Sequence, residues 1–368
     1  MAYSNNYLSR EESTAIKGLL IFLIILGHNA VLTQSVKSIM PFLYLFHVKL
    51  FFIIPFLYKV KTNTFKVSLE KNFIRLYYPY LIFFIFLSIL YYFTSKAIND
   101  PHQIAKNLLS IQDNEILFFF NTILTGNPYL IDYFTGYQFL WFLPVMFSLN
   151  IVKNQLQDNK TARAIILALG FIFYIVFYSI TLTPELTKIQ FCTMLFSPFA
   201  IAQAVAMYFL GYVCSKILLN TKYNKVINIV GTILFVALSV FLVYNLSINH
   251  HFIKESSLGA IYRFAMPFLA MGIVYTFKEK ISKVKVFRAL GEVSLPLYIF
   301  STLICTVFYL IFKKFDAITP LNGIIAQVLI MLVSYYFVKL FYKLPFIYNK
   351  IFPQTLDCIK VKFSRKVE

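Results

Sequence analysis

Charged residues are scarce in this chain. Only 13% of its 368 residues are charged, whereas 59% are hydrophobic and 19% are aromatic. This balance lies outside the range of ordinary soluble domains. Many apolar runs reach about 18 residues, which as helices suffice to cross a hydrocarbon core about 30 Å thick. The composition therefore excludes a soluble core and predicts an integral membrane protein.

Cysteine is also rare, and its spacing excludes two common roles. The four cysteines, Cys192, Cys214, Cys305 and Cys358, are far apart and show neither a CxxC pattern nor a Cys/His ligand spacing. We therefore expect no disulfide framework and no metal site.

The sequence also lacks the patterns of a cleaved signal peptide and of further domains. No small-residue cleavage pattern follows the first apolar run, which favours a retained helix over a signal peptide. The chain contains no obvious repeat, low-complexity tract or soluble domain. We predict one membrane domain, residues 1–345, followed by a basic cytoplasmic tail, residues 346–368, near anionic lipid.

The apolar runs and their polar breaks predict an all-α polytopic fold with about ten transmembrane helices. The predicted spans are residues 16–33, 41–58, 75–94, 138–153, 162–182, 193–215, 226–247, 257–277, 289–311 and 321–342. The longest connection, residues 95–137, contains the apolar piece 114–126, which is too short to span and is interpreted as a re-entrant or interfacial segment.

The formal net charge of +19 comes mainly from short segments between these runs. Of the 34 Lys and Arg residues, 25 fall on the side of the N-terminus, 8 on the other side and one inside a span. This bias predicts that both termini are cytoplasmic, and it explains the charge without a nucleic-acid partner.

Lys17 and His28 stand eleven residues apart in the first predicted span. Eleven residues make close to three turns, about 16 Å along the axis, so both side chains are expected on one face. Ionisable groups at membrane depth are costly, which makes them candidates for function. The spacing also fits a Lys17 whose ammonium reaches the membrane surface and a His28 bonded to a backbone carbonyl.

His47 lies on the neighbouring antiparallel span, at a depth of about 8 Å that matches the depth of His28. The two imidazoles are therefore expected to meet. A low-dielectric surrounding favours uncharged imidazole, which suits a base or a proton relay. A hydrogen bond between helices, worth about 1 kcal/mol, is the alternative role. The nearby Lys49 fits pairing with a lipid phosphate or another helix.

Two further side chains stand at the ends of predicted spans. Arg75 opens the third span at the cytoplasmic side, where a guanidinium can bind phosphate bidentately, although the positive-inside bias also explains it. Trp141, the only tryptophan, stands at the outer start of the fourth span, where interfacial anchoring explains it.

Five stretches occur in order between about residues 13 and 305. They read STAIKGLLIFLIILGHNAV, FHVKLFFIIPFLY, RLYYPYLIFF, LWFLPVMF and LGEVSLPLYIF. Together they resemble the integral-membrane acyltransferase family 3, especially its branch related to fucose and polysaccharide O-acetyltransferases. In that family the first span carries Arg, ten residues and then His, and the second stretch matches at His47 and the Phe pair.

The resemblance implies an enzyme of the bacterial cytoplasmic (inner) membrane that moves an acyl group to a hydroxyl of a cell-surface or lipid-linked carbohydrate. The donor would be acetyl-CoA or another acyl-CoA, a co-substrate, with no bound cofactor or metal. His28 is expected to act as general base or acyl carrier, and His47 to orient it or relay its proton. Lys17 and Arg75 are expected to bind the donor.

The acceptor side is assigned to the outer connection and its surroundings. Asn127, Asp132 and Tyr137 offer groups that bind sugars, and Trp141 and Ser301 are supporting candidates. Membrane lipids are the remaining expected partners, and nothing in the sequence indicates an oligomeric state.

The chain departs from the family pattern at several positions. Lys17 stands where Arg is usual, Asn72 where the third span often has a first Arg, Ile54 and Pro55 replace Ser-Gly, and Ser301 replaces a frequent histidine. Lys17 keeps the positive charge of arginine but lacks the planar guanidinium that binds a phosphate through two hydrogen bonds. A catalytically impaired family member is therefore one alternative. A transporter or flippase of a lipid-linked sugar or anion is another, although the paired broken spans of inverted repeats are not evident.

Overall fold

The computed structural model describes residues 7–59, 64–98, 115–179, 198–220, 224–249 and 257–353. Within these ranges the chain is helical and contains no strand. The predicted tail beyond residue 353, Cys192, Cys358 and most of the polar part of the connection 95–137 lie outside the described residues.

The helices of the first part of the chain precede residue 160. They are α1 Arg10–His28, α2 Ala30–Ser35, α3 Ile39–Tyr44, α4 His47–Ile53, α5 Phe65–Asn72, α6 Tyr78–Ile98, α7 Glu115–Thr125, α8 Pro128–Thr135 and α9 Phe142–Gln155. Short 3-10 turns follow α4 and precede α9, at Ile54–Leu57 and Gln138–Trp141, and a π-helical turn, Phe73–Tyr77, joins α5 to α6.

The remaining helices follow in the second half. They are α10 Lys160–Tyr174 with a π-helical turn Ile175–Ser179, α11 Phe199–Leu218, α12 Asn224–Ile248, α13 Ser257–Thr276, α14 Lys278–Lys283, α15 Lys285–Glu292, α16 Ser294–Lys314, α17 Pro320–Tyr342 and α18 Pro345–Ile351.

Within the described residues each predicted span overlaps helix, and seven helical segments there are long and apolar enough to cross a membrane. These are Ile39–Leu57, Phe65–Phe93, Lys160–Phe177, Phe199–Leu218, Ile229–Ile248, Ser294–Lys314 and Pro320–Tyr342. The count of ten spans and the side of the termini stay predictions. Helix α7 has eleven residues, about 16 Å, which is too short to span, as the sequence predicted.

Three predicted spans are not continuous helices, which corrects the sequence prediction. The first is interrupted at Asn29, the second between Tyr44 and His47, and the ninth at Val293. At Asn29 the reason is local. Its side-chain oxygen accepts a hydrogen bond from the N–H of Leu32, as an N-cap does. A new helix, α2, therefore starts at Ala30, two residues after His28.

The chain divides into two compact units. The first comprises Met1–Val60, Tyr174–Thr181 and Met207–Leu340, and the second comprises Lys61–Phe173, Leu182–Ala206 and Phe341–Glu368.

The first unit is built around α1, whose approach to α15 requires glycine. A Cβ on Gly18 would overlap the backbone carbonyl of Phe287, and a Cβ on Gly291 would overlap that of Thr14. The buried face of α1 is otherwise aliphatic, with Ile21 and neighbouring isoleucines inside. Close backbone packing of this kind is what small residues permit between membrane helices.

The second unit is held by hydrogen bonds from the α5–α6 region. Tyr77 and Tyr80 donate their hydroxyls to the carbonyls of Ile123 and Thr122 on α7, at 2.6 and 2.8 Å. Asn150 on α9 donates to Asn72 Oδ1 at 3.0 Å. The two tyrosine bonds tie the short helix α7, which cannot span a membrane, to the π-helical turn and to α6, and the asparagine bond joins α9 to α5.

Candidate functional site

His28 is the last residue of α1 and is partly buried. The helix ends there because Asn29, fully buried, turns its N–H back to the carbonyl of Leu26 at 3.4 Å and caps the next helix with its side chain. The imidazole thus stands at a helix break inside the apolar first unit and not within a continuous turn. Irregular backbone of this kind is tolerated at membrane depth only where protein buries it or a cavity surrounds it.

Tyr44 contacts both histidines of the first unit. Its ring centroid is 6.3 Å from that of His28 and 4.9 Å from that of His47, and both contacts are edge-to-face. The interruption between α3 and α4 helps to bring these rings into contact, because Tyr44 ends one helix and His47 begins the next. The structure therefore brings together the two histidines that the sequence singled out.

The ring of His47 has a defined tautomer. Its Nδ1 is 2.5 Å from the carbonyl oxygen of Leu43, which can only accept, so Nδ1 carries the proton. In the neutral ring Nε2 then bears a lone pair. This atom is fully buried, has no hydrogen-bond partner, and lies 3.6 Å from the position of a Cβ built on Gly27. A buried proton acceptor thus faces the residue that precedes His28.

A second polar contact forms on the other side of His28 in the sequence. Asn29 Nδ2 donates to the carbonyl of Gly323 at 2.9 Å and to Gln327 Oε1 at 3.2 Å, both on α17. Gln327 is 6% exposed, and its Nε2 has no hydrogen-bond partner. Sequence reasoning missed Gln327, although a lone amide within an otherwise apolar span is a signal that could have found it.

Ser301, which stands at the family's frequent histidine position, is 1% exposed. Its hydroxyl donates to the carbonyl of Tyr298 on its own helix, α16, at 3.3 Å. The hydrogen-bonding need of this side chain is therefore met within one turn.

Lys49 is held inside the first unit by a carbonyl and an aromatic ring. It is 6% exposed, donates from Nζ to the carbonyl of Arg263 at 3.4 Å, and stands 5.8 Å from the ring centroid of Tyr174. The Tyr174 hydroxyl donates to the same carbonyl at 3.3 Å. Of the two partners expected for this lysine, a lipid phosphate or another helix, the structure shows a group on another helix, α13.

Lys17 lies near a surface cavity at the N-terminal end of α1. Its Nζ is 5.8 Å from the ring centroid of Tyr58, whose hydroxyl shares a hydrogen bond with Ser13. The cavity measures about 500 Å³, and its lining includes Tyr7, Glu12, Tyr58, Lys59, Lys278 and Ser282. Lys278 forms an ion pair with Glu12 at 3.7 Å.

Arg75 belongs to the second unit, whereas Lys17 belongs to the first. Arg75 sits in the π-helical turn between α5 and α6 and is exposed, with no hydrogen bond or ion pair to any described residue. Its guanidinium is accessible for an anion, and the surrounding sequence adds the exposed Lys71.

The acceptor-side candidates also belong to the second unit. Asn127, fully buried, caps α8 by accepting from the N–H of Tyr129 at 2.9 Å, and its Nδ2 has no partner. Asp132 accepts from Gln138 at 3.5 Å. Trp141 ends the 3-10 turn before α9 and is partly exposed. These contacts are local to the loop and helix ends.

Within the described ranges, no three His, Cys, Asp or Glu side chains lie close enough together to hold a metal ion. The first unit offers instead two imidazoles, that of the buried His47 and that of the partly buried His28, both in contact with Tyr44.

The apolar helices long enough to cross a membrane define a polytopic membrane protein. A family model described as an acyltransferase domain matches residues 11–339. The chain therefore belongs to acyltransferase family 3, a family of membrane acyltransferases, as the five sequence stretches indicated. No curated protein and no solved structure gives a match.

Proposed function

We propose that this protein is an O-acyltransferase that moves acetyl from acetyl-CoA to a hydroxyl of a cell-surface or lipid-linked carbohydrate. The observation that carries the proposal is the cluster of His28, Tyr44 and His47. In it the buried His47 Nε2, which bears a lone pair, faces Gly27, the residue before His28. Acyl transfer to a hydroxyl needs such a base.

In the proposed reaction His28 takes the proton of the acceptor hydroxyl while the hydroxyl oxygen attacks the thioester carbon. The carbon–sulfur bond then breaks, and the CoA thiolate takes that proton from His28 and leaves as the thiol. His47 Nε2 is the second proton acceptor, since Nδ1 is engaged by Leu43. A positioned base contributes about 10² to 10⁴ in rate. Transient acylation of His28 is the alternative route, and it suits substrates that arrive from opposite faces.

The donor end is assigned to Lys17 and the cavity beside Tyr58. The cavity of about 500 Å³ offers room for part of a nucleotide, and Lys17 and Lys59 add positive charge near it, whereas Lys278 is paired with Glu12. Lys17 stands eleven residues before His28 on α1, about 16 Å along the axis, a span suited to an extended pantetheine arm. Arg75 is proposed as a second phosphate ligand of the donor.

The acceptor is proposed to enter from the opposite side of a bacterial cytoplasmic membrane, where Asn127, Asp132 and Trp141 would contact sugar. Support comes from the positive-inside bias, which assigns both termini to the cytoplasm, and from the unpartnered Asn127 Nδ2. The carbohydrate class follows from the resemblance to polysaccharide O-acetyltransferases.

The test uses the purified full chain in lipid nanodiscs with acetyl-CoA labelled in the acetyl group and a panel of glycans. We expect transfer that His28→Ala abolishes, whereas Val328→Ala, at an exposed position of α17, keeps wild-type transfer. Label transfer at the wild-type level in His28→Ala would contradict the mechanism. Movement of a glycan across the bilayer without an acylated product would instead indicate a transporter.

A further inference from the structure

The orientation of the Asn29 amide is fixed by backbone groups. Its Oδ1 receives the N–H of Leu32, a group that can only donate, and its Nδ2 faces the carbonyl of Gly323, a group that can only accept. Exchanging the oxygen and the nitrogen would break both contacts. Asn29 therefore presents a donor, Nδ2, toward Gln327.

The orientation of the Gln327 amide follows from that of Asn29. The atom 3.2 Å from Asn29 Nδ2 must be the acceptor Oε1, so the other end of the amide is the NH₂ group. That Nε2 is buried and has no hydrogen-bond partner. Leaving a donor unsatisfied in an apolar surrounding costs free energy, which a ligand that accepts a hydrogen bond would recover.

The unsatisfied donor is linked to the candidate base through Asn29. Gln327 is bonded to Asn29, which directly follows His28, and its neighbours on the buried face of α17, Ala326 and Ile330, are apolar. One hydrogen bond therefore joins the amide of Gln327 to the residue next to His28.

We propose that Gln327 Nε2 donates a hydrogen bond to the carbonyl oxygen of the acyl group during transfer. As the acceptor hydroxyl oxygen bonds to the carbonyl carbon, the π electron pair moves to the carbonyl oxygen, which becomes an oxyanion. The hydroxyl proton passes to His28, and when the oxyanion collapses the carbon–sulfur bond breaks and CoA leaves. This inference rests on the proposed function.

The developing oxyanion is the best match for this donor. It is a pure acceptor that carries negative charge, whereas a sugar hydroxyl both donates and accepts. A donor that is already in place stabilises most strongly a negative charge that develops in a site without water. Loss of one such donor lowers kcat by about 10² to 10³.

The test measures kcat and KM for acetyl-CoA in the full chain in nanodiscs. Gln327→Met keeps the length of the side chain and lacks the donor. Gln327→Leu also lacks the donor, and its side chain is shorter and branched. We expect both variants to lose about 10²- to 10³-fold in kcat, with KM for acetyl-CoA within about threefold of wild type.

Ser334→Ala is the matched control. Ser334 lies on the same helix, is fully buried and also has a hydroxyl without a partner, but it stands seven residues away from Gln327. We expect it to keep wild-type kinetics. If Gln327→Met does not fold, as judged by thermal unfolding and gel filtration in detergent, Gln327→Leu decides the question.

A folded Gln327 variant with kcat within threefold of wild type, or with a raised KM alone, would overturn the inference while leaving the proposed function intact. If the wild-type protein transfers no acetyl group to any glycan, the proposed function fails and the inference falls with it.

Discussion

His47 is anchored by Leu43: its Nδ1 donates to the Leu43 carbonyl oxygen across 2.5 Å, which leaves Nε2 as a buried lone pair. This contact joins two helical segments that the sequence had suggested were one, and it fixes which ring nitrogen can take a proton.

The first prediction concerns that lone pair. Replacing His47 by Phe keeps a ring beside Tyr44 but removes both nitrogens, so we expect acetyl transfer to fall by about 10²- to 10⁴-fold, the usual contribution of a positioned base or relay. Initial rates with labelled acetyl-CoA measure it. Phe42→Leu, which changes a neighbouring partly buried ring without titratable groups, is the control. A His47→Phe rate close to wild type would assign proton transfer to His28 alone.

The second prediction concerns donor binding at Lys17. Hydrogen bonds to charged groups contribute about 1.5–3 kcal/mol, so Lys17→Ala should raise KM for acetyl-CoA about 10- to 100-fold. Lys17→Arg restores the residue usual in the family and should leave KM unchanged or lower it, because a guanidinium binds phosphate bidentately.

The control for this series is Lys339→Ala, which removes a lysine whose Nζ lies 5.5 Å from the ring centroid of Tyr335 near the end of α17. It also changes net charge by one, so any general electrostatic effect on donor affinity would appear in both variants. Equal KM values for Lys17→Ala and Lys339→Ala would exclude a specific donor contact at Lys17.

The third prediction concerns packing at Gly18. A Cβ there would overlap the carbonyl of Phe287, and backbone can yield only if α1 and α15 separate. We expect Gly18→Ala to destabilise the protein by about 1–3 kcal/mol or more, measured by thermal unfolding in detergent.

Gly272→Ala is the matched comparison, because a Cβ on Gly272 meets nothing within 4 Å. Alanine is favoured over glycine in a helix by about 1 kcal/mol, so this variant should be neutral or slightly stabilised. If Gly18→Ala and Gly272→Ala unfold at the same temperature, the backbones of α1 and α15 do not approach as closely as the structure shows.

The fourth prediction concerns the cap at Asn29. Asn29→Ala leaves the N–H of Leu32 and the carbonyl of Gly323 without their side-chain partners, so we expect a loss of about 1–3 kcal/mol in unfolding free energy. Asn245→Ala removes an amide that bonds only to its own helix and should cost less than about 0.5 kcal/mol. A similar loss in both variants would argue against a special role of the break after His28.

Much of the architecture followed from local pattern. The apolar runs predicted helix at every place where the structure has a candidate span, and the short run 114–126 was correctly predicted to be too short to cross. Helix interruptions were missed, because hydropathy reports where a segment is apolar and not where a side chain such as that of Asn29 competes for the backbone.

The candidate site was predictable in part. His28 and His47 stood out because ionisable groups are costly in an apolar span, and the structure places both in contact with Tyr44. The joint donor site of Lys17 and Arg75 stays a prediction, since the two residues belong to different units. Gln327 was overlooked because its significance lies in what it lacks, a partner for Nε2, and that can be read only from the packed chain.

The amino-acid sequence alone determined that this chain is a helical membrane protein of the acyltransferase family with costly histidines near the ends of two spans. Periodicity, hydropathy and charge bias are local properties, so they can be read without a fold. Only the tertiary structure decided which nitrogen of His47 is free, where Lys49 finds its carbonyl, and that Asn29 meets Gln327, 298 residues later in the chain. Hydrogen bonds at that separation depend on how helices pack, and packing is set by shape and by satisfied polar groups that no single segment encodes.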